Sequence, residues 1–188
     1  MKSIVIFYND KNSKYKDEKI FNGKSSVELT KELFLNNDFS KNLQKIQESD
    51  IFTIKNCQNL LELFTQMNEI TEKSKADFVI FSYNDLPFLN YKITKELIEY
   101  HINYKAEYTF ADGFSYGFSP EIIDCGTLRI LQELSKNKKK CCYRLGTKIA
   151  EIFDNLSLEE CKATANALGE ILKFKAQENS AEKESFFS

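Results

Sequence analysis

The residues best placed to do chemistry are four in a row, Asn84-Asp85-Leu86-Pro87, which follow the apolar run FVIFS at positions 78–82. Such a run is typical of a strand that is buried on both faces. In open α/β sheets, ligands bind outside the carboxyl ends of the strands. The Asp85 carboxylate is therefore expected where a divalent cation and substrate phosphates could bind. The structural alternative is that Asp85 only caps the turn before Pro87.

A second group of chemically useful residues lies in the segment ADGFSYGFSPE at positions 111–121. It combines two carboxylates and two glycines with three aromatic residues, over a length that could line a pocket. Asp112 and Glu121 could join Asp85 at a metal ion if the segment folds toward it. The same composition also suits a surface loop held by its aromatic residues, and both interpretations stay open.

Other catalytic centres are excluded or disfavoured by the residues present. His101 is the one histidine, which excludes a histidine-based metal centre or a Ser-His-Asp triad within this chain. It falls in a predicted helix, so we expect a partly buried helix residue rather than a general base. The adjacent Cys141 and Cys142 are interpreted as small buried residues rather than a redox pair. The run KNKKK at 136–140 is interpreted as a solvated turn, since no aromatic residues are interleaved with it.

Composition and charge narrow the class of protein. The 188 residues are 42% hydrophobic, which is enough for a packed core, and 26 basic residues nearly balance 28 acidic ones. This balance gives no field that favours nucleic acid or an anionic membrane. No apolar run approaches the roughly 20 residues needed to span a bilayer. Five cysteines and no secretory leader predict free thiols in a cytoplasmic protein.

The chain alternates between strand and helix patterns. SIVIFY at 3–8 predicts a central strand, and Ser25 with Glu28 forms a capping box that predicts a first helix. A second short helix is expected around Leu43 and Ile46. The remaining predicted elements are a strand at 51–54, a helix starting at Asn59, the strand at 78–82, a helix at 91–104, a strand at 106–111 and a helix at 125–134.

This alternation predicts an α/β fold with three layers and a mainly parallel sheet between helices. We expect one domain over residues 1–176, with its core in 1–135 and a helical tail at 143–176. The last residues, 177–188, have the composition of a disordered linker or tail.

Three segments, FNGKSSVELTKELF, SYNDLPFLNYKITKELIEYH and YTFADGFSYGFSPEIIDCGTLRIL, resemble in their order the GT-A nucleotide-diphospho-sugar transferases, particularly the cytidylyltransferase-like members. In that family a strand ends in a Gly-Asp-x-Pro type motif, which Asn84-Asp85-Leu86-Pro87 resembles. The resemblance implies a Rossmann-like fold, Mg²⁺ or Mn²⁺ bound by Asp85, and a nucleotide or nucleotide sugar as ligand. It implies nucleotide contacts from Lys14, Lys24 and Asn84, and substrate contacts from Asp112, Gly113, Tyr116, Gly117 and Glu121.

The chain most resembles the amino-terminal domain of spiro-SPASM proteins, in which a sugar-nucleotidyltransferase-like domain precedes a radical SAM domain. This resemblance implies a binding or accessory module joined to a C-terminal radical SAM domain in a longer polypeptide. The CxxxCxxC motif of radical SAM enzymes is absent here. No iron-sulfur cluster is therefore expected in this chain.

The loop at 9–19 distinguishes two possible functions. Loops that wrap phosphates use glycine for close backbone approach, and this loop has none, although Lys14, Lys16 and Lys19 supply positive charge. The sequence therefore favours a degenerate binding module over an enzyme. The alternative is an active, metal-dependent nucleotidyltransferase that joins a sugar phosphate to a nucleoside triphosphate.

Overall fold

The computed structural model describes residues 1–9, 18–19, 22–111 and 117–137, which belong to the compact unit Met1–Gly146. Lys14, Asp112, Gly113, Tyr116, the Cys141-Cys142 pair and the predicted tail lie outside the described residues, so the predictions about them stay predictions. Within the described ranges, no helix is both long and apolar enough to cross a membrane.

Five strands and four helices alternate along most of the described chain. Their bounds are β1 Ser3–Asn9, α1 Ser26–Asn36, β2 Ile51–Lys55, α2 Leu60–Ser74, β3 Phe78–Tyr83, α3 Tyr91–Tyr104, β4 Tyr108–Thr109, β5 Glu121–Asp124 and α4 Cys125–Leu134. Single 3-10 turns precede β2 at Glu48–Asp50 and follow α4 at Ser135–Asn137.

The strands form one mixed sheet in the order β2-β1-β3-β5-β4. β1 is parallel to both β2 and β3, whereas β5 is antiparallel to its neighbours β3 and β4. Four of these five strands thus run in the same direction, and the predicted, mainly parallel α/β fold is confirmed.

The prediction missed β5 and placed Glu121 at the end of a loop, which is wrong. Glu121 is the first residue of β5, opposite Phe81 of β3. A crossover between parallel strands needs about a dozen residues or more, usually with a helix. The connection from Thr109 to Glu121 has no helix among its described residues, and β5 returns antiparallel beside β4.

Helices cover both faces of the sheet. Side chains alternate along a strand, so Val5, Phe7, Phe78 and Ile80 share one face. They form a buried cluster with Phe34 of α1 and Ile98 of α3, together with Phe39, Ile46, Leu89 and Ile122. We call this the α1/α3 face.

The opposite face of the sheet, which we call the α2/α4 face, buries the alternate strand residues Ile4, Ile6, Val79 and Phe81. The helices α2 and α4 also contact each other through polar side chains: Asn68 Nδ2 lies 2.5 Å from Gln132 Oε1. The three-layer arrangement is therefore helix pair, sheet, helix pair.

Local sequence signals fix where the helices start. Ser25 and Glu28 form the predicted capping box at α1, and Asn59 caps α2 as expected. Asn90 caps α3 by accepting a hydrogen bond from the Ile93 amide. Each cap satisfies a backbone N–H that has no partner within its helix.

The short helix predicted around Leu43 and Ile46 does not form. The Gln44 amide instead donates to the Met1 carbonyl at 2.9 Å, and the Met1 ammonium donates to the Asn42 carbonyl at 2.8 Å. The backbone of this segment is thus satisfied by the start of the chain and by one local turn, in which the Leu43 amide donates to the Ser40 carbonyl at 3.2 Å, rather than by a helix. Ile46 still packs into the core, so burial decides its position without a helix.

Candidate functional site

Three neighbouring strands are followed or closed by an asparagine at the same edge of the sheet. Asn9 ends β1, Asn56 comes directly after β2, and Asn84 comes directly after β3. The Asn84 backbone N–H donates to the Tyr8 carbonyl at 3.0 Å, and the Asn56 backbone N–H donates to the Asn9 carbonyl at 3.2 Å. We call this edge, formed by residues 8–9, 55–56 and 82–84, the carboxyl edge. The side-chain amides of its three asparagines are uncharged.

The motif that the sequence singled out follows β3 at this edge. Asp85 is half-buried, and the Leu86 carbonyl lies 3.0 Å from Thr30 Oγ1 on α1. The first turns of α1 therefore pack against the motif. A carboxylate in this position meets the expectation that ligand-binding groups follow the strands of an α/β sheet.

Gly117 is brought beside the motif from the other side. A Cβ atom on Gly117 would lie 3.1 Å from Leu86 Cδ2, and its φ of +96° is one that side-chain-bearing residues rarely adopt. Next to it, the Phe118 carbonyl accepts from the Asn90 amide at 2.8 Å. Glycine is thus required here for backbone geometry and close approach; its predicted substrate contact stays a prediction.

The side chain of Glu121 lies on the opposite face of the sheet from Ser82 and Asn84. Because it is opposite Phe81 in the β3–β5 pair, its side chain lies on the α2/α4 face. The Tyr108 hydroxyl donates to Glu121 Oε2 at 2.6 Å. Burial and the adjacent carboxylate raise the pKa of Tyr108 far above its usual value. The phenol therefore stays protonated and serves as a hydrogen-bond donor to Glu121.

Lys24, which was predicted to contact a nucleotide, forms an ion pair in the described structure. Its ammonium lies 2.7 Å and 2.6 Å from the two carboxylate oxygens of Glu32 on α1. Both side chains are close to half-exposed. A phosphate would have to compete with Glu32 for this lysine.

Buried oxygens without a hydrogen-bond partner are concentrated near the carboxyl edge. Among the described residues, six buried side-chain nitrogen or oxygen atoms have no partner, and four belong to Ser26, Ser82, Asn84 and Thr94. Ser82 is opposite Phe7 in the β1–β3 pair, so Ser82 and Asn84 lie on the α1/α3 face. Ser26 and Thr94 lie in the first turns of α1 and α3.

These unpartnered atoms are energetically unfavourable in the protein alone. A buried polar group without a partner costs about 1 to 3 kcal/mol. Groups of this kind are rare in folded proteins and call for an explanation such as a functional role, an ion or an ordered water. Hydroxyl and amide oxygens are suited to hydroxyl, amino and amide groups of a ligand.

The described ligand atoms suit a metal ion that binds through one or two protein side chains better than one coordinated by protein alone. Directly after the carboxyl edge, Asp85 could supply one hard oxygen ligand, while Glu121 accepts its hydrogen bond on the other face. Within the described ranges, no three His, Cys, Asp or Glu side chains are grouped around one point. Mg²⁺ commonly keeps several waters and binds through one or two carboxylates and substrate phosphates. Asp85 is the described residue that would hold it.

A cavity of about 550 Å³ lies elsewhere, between residues 37–46 and the side of α3 that carries Lys95, Glu99 and Asn103. Residues 42 and 44 are bonded to Met1, at the start of β1. The cavity is therefore near the amino ends of the strands. It does not include any residue of the carboxyl edge.

Sequence reasoning found Asn84 and Asp85 but missed Asn9, Asn56 and Ser82. A repeated pattern was available, since each of three strands is followed or closed by an asparagine. His101 was expected to be a partly buried helix residue, and it lies in α3 but is fully buried. Its Nδ1 lies 2.9 Å from Thr109 Oγ1, and burial lowers its pKa to about 4. It is remote from the carboxyl edge and takes no part in the candidate site.

Comparison with known proteins identifies a similar fold but no sequence family. No family model matches the chain, and no curated protein matches it in sequence. Six solved chains match it in structure. One is a cytidylyltransferase from Leptospira borgpetersenii serovar Hardjo-bovis (strain JB197), with a TM-score of 0.53 and 16% sequence identity over 79% of this chain and 67% of that one. At this identity the likeness establishes a cytidylyltransferase-like fold alone.

Proposed function

We propose that the domain binds a nucleotide or nucleotide sugar at the carboxyl edge and serves as a binding module for a catalytic partner domain. The observation that carries the proposal is the group of buried, unpartnered oxygens of Ser26, Ser82 and Asn84 beside that edge. In a Rossmann-like sheet this is the place where ligands bind. A nucleoside offers the hydroxyl, amino and carbonyl groups that such oxygens would pair with.

A binding role is supported by how the charged residues are used. Lys24 pairs with Glu32, and Glu121 accepts from Tyr108. Neither of these two charged side chains is positioned to assist phosphoryl transfer. That chemistry depends on cations placed around the transferring group. The uncharged amides of Asn9 and Asn84 suit recognition better than transition-state stabilisation.

The partner domain that we propose is a radical SAM domain, following the resemblance to the amino-terminal domains of spiro-SPASM proteins. In this arrangement the iron-sulfur cluster belongs to the partner, because the five cysteines of this chain have no CxxxCxxC spacing. The module would present its ligand to the partner or hold it after reaction. Co-purification of the domain with its partner, dependent on nucleotide sugar, would test this part of the proposal.

One observation favours a second candidate, an active nucleotidyltransferase. Asp85 is half-buried at the carboxyl end of β3, where a carboxylate could hold Mg²⁺ against a nucleoside triphosphate. In that reaction the phosphate oxygen of a sugar phosphate attacks the α-phosphorus and pyrophosphate leaves. Release of pyrophosphate from a triphosphate and a sugar phosphate, lost in Asp85→Ala, would establish it.

The binding proposal is tested by calorimetric titration of the wild type with CTP, UTP, GTP, ATP and their diphospho-sugars. Ser82→Ala should lose affinity, since it removes an oxygen at the carboxyl edge. Ser3→Ala is the matched control: Ser3 also has a buried, unpartnered hydroxyl on the α1/α3 face, but at the amino end of β1. Affinity should be unchanged in that variant.

Binding should also stabilise the fold. A ligand at a hundred times its dissociation constant adds about 2.7 kcal/mol to the free energy of unfolding, which thermal denaturation detects easily. If no nucleotide or nucleotide sugar binds the wild type, the proposed function is wrong. If Ser3→Ala and Ser82→Ala lose affinity equally, the ligand is not at the carboxyl edge.

A further inference from the structure

The amino-terminal end of α1 is already occupied by a carboxylate of its own. The Ser25 amide and hydroxyl donate to Glu28 Oε2 at 2.7 Å and 2.9 Å, and the Glu28 amide donates back to Ser25 Oγ at 3.3 Å. These hydrogen bonds from Ser25 hold the pKa of Glu28 below its usual value. Glu28 is therefore negatively charged at neutral pH.

This carboxylate lies where a phosphate group would otherwise bind. Helix amino termini attract anions because their N–H groups are free and the helix dipole is positive there. At α1 two of those N–H groups, on Ser25 and Glu28, are taken by the capping box. A phosphate arriving here would meet a fixed negative charge and two fewer free donors.

The lysines described near the start of α1 do not outweigh the negative charge of Glu28. Lys19 and Lys24 both act electrostatically on Glu28, but Lys24 is paired with Glu32 at 2.6 Å. The two lysines and the two glutamates sum to no net charge. Among the described residues, the start of α1 therefore offers no excess positive charge to a polyphosphate.

The uncharged side of the site begins at the very next residue. Ser26 follows the cap, is 1% exposed, and has a hydroxyl without a partner in the described part of the chain. Its carbonyl lies 2.9 Å from Thr30 Oγ1, which in turn lies 3.0 Å from the Leu86 carbonyl of the motif after β3. The capped helix end and the motif after β3 are thus joined through one hydroxyl.

We infer that the site recognises its ligand through an uncharged polar part, the nucleoside, and that added phosphates weaken binding. This inference rests on the proposed nucleotide-binding function and specifies which part of the ligand is held. Hydroxyl and amide oxygens bind the base or ribose, while the carboxylate of Glu28 repels the phosphate end. A site that grips triphosphates would show the opposite preference.

The test is a calorimetric titration with cytidine, CMP, CDP and CTP, and with the corresponding uridine, adenosine and guanosine series, in chelator-containing buffer. The nucleoside and monophosphate should bind comparably, and the triphosphate should bind about threefold to tenfold more weakly, as one nearby like charge at a solvated site predicts. Raising the salt concentration should narrow this difference.

Glu28→Gln provides the decisive variant. Glutamine can keep the capping box but removes the charge, so the triphosphate should bind about threefold to tenfold more tightly than in the wild type, with the nucleoside changed less than about twofold. Glu62→Gln is the matched control. Glu62 holds the equivalent position in α2, where it bonds the Gln58 amide at 2.7 Å. Its replacement should leave the whole series unchanged.

Affinity that rises with each phosphate in the wild type would overturn the inference while leaving the nucleotide-binding function in place. An equal gain in Glu28→Gln and Glu62→Gln would also overturn it, since the effect would then be one of net charge. If no member of any series binds, the proposed function fails and the inference fails with it. Should Glu28→Gln not fold, the wild-type series with and without salt decides the question alone.

Discussion

Neighbouring residues at the end of β3 show opposite behaviour on the two faces of the sheet. On the α2/α4 face, Phe81 and Tyr83 are in ring contact at 5.3 Å, and Tyr8 lies 6.4 Å from Phe81. On the α1/α3 face, Ser82 and Asn84 have buried oxygens without partners in the described chain. At the carboxyl end of β3, the residues on one face pack ring against ring, and those on the other have polar groups that a ligand could satisfy.

The contrast extends to the polar residues of the α2/α4 face. Tyr108 and Glu121 satisfy each other there by a short hydrogen bond. Polar groups that are paired within the protein stabilise it, whereas buried groups left unpaired reduce its stability. The comparison therefore separates Tyr108 and Glu121, which maintain the fold, from Ser82 and Asn84, which we assign to binding. Among the described residues, Ser3 Oγ and Asn68 Oδ1 are also buried without partners and belong to neither group.

The largest effect is expected from Phe81→Ala. Phe81 is 1% exposed and contacts two other rings, so its removal should lower the free energy of unfolding by about 3 to 5 kcal/mol. The adjacent Ser82→Ala should not lower it, because no hydrogen bond is lost and a buried hydroxyl without a partner is removed. Urea denaturation measures both. Similar losses in the two variants would remove the distinction between the faces; Phe81→Leu serves if Phe81→Ala does not fold.

A smaller effect is expected from Tyr108→Phe. It removes the hydroxyl that donates to Glu121 and leaves a partly buried carboxylate short of one donor, which should cost about 2 kcal/mol. Tyr100→Phe is the control: Tyr100 is 56% exposed on α3 and makes a tilted ring contact with Tyr104. Chemical denaturation should show no loss for Tyr100→Phe. Equal stability of both variants would mean that the Tyr108–Glu121 pair does not support the fold.

The smallest effect concerns a paired polar group on the α1/α3 face, away from the carboxyl edge. His101 lies 2.9 Å from Thr109 Oγ1 and 4.9 Å from the Phe78 ring centre. Burial lowers its pKa from 6.5 to about 4, partly offset by the negative charge of Asp124. The folded protein thus holds the neutral ring, and protons bind the unfolded chain first as the pH falls.

The contribution of His101 to the free energy of unfolding should be fully present above pH 6.5 and should decline as the pH falls toward 4. The loss is expected to be on the order of 1 to 2 kcal/mol, since water reaching the charged ring reduces the full penalty. Denaturation of the wild type and of His101→Gln across this range gives the difference due to the histidine. If the two pH profiles are parallel, His101 titrates normally in the folded state.

Much of the framework was predictable from local sequence. SIVIFY and FVIFSY are continuous apolar runs, and both became strands buried at every position. Ser25, Asn59 and Asn90 precede helices whose first amides they satisfy. The prediction around Leu43 and Ile46 failed because the backbone there pairs with Met1, which lies far away in sequence.

The sequence by itself determined the α/β class and the strand that precedes the Asn84-Asp85-Leu86-Pro87 motif. It also determined helix α1, which begins at the capping box of Ser25 and Glu28. These depend on periodicity and on contacts within a few residues. Only the tertiary structure decided that Asn9, Asn56 and Asn84 share one edge, and that Glu121 lies on the face opposite Ser82. Strand order and register depend on contacts between segments that are distant in the chain, and a shift of one residue would exchange the two faces.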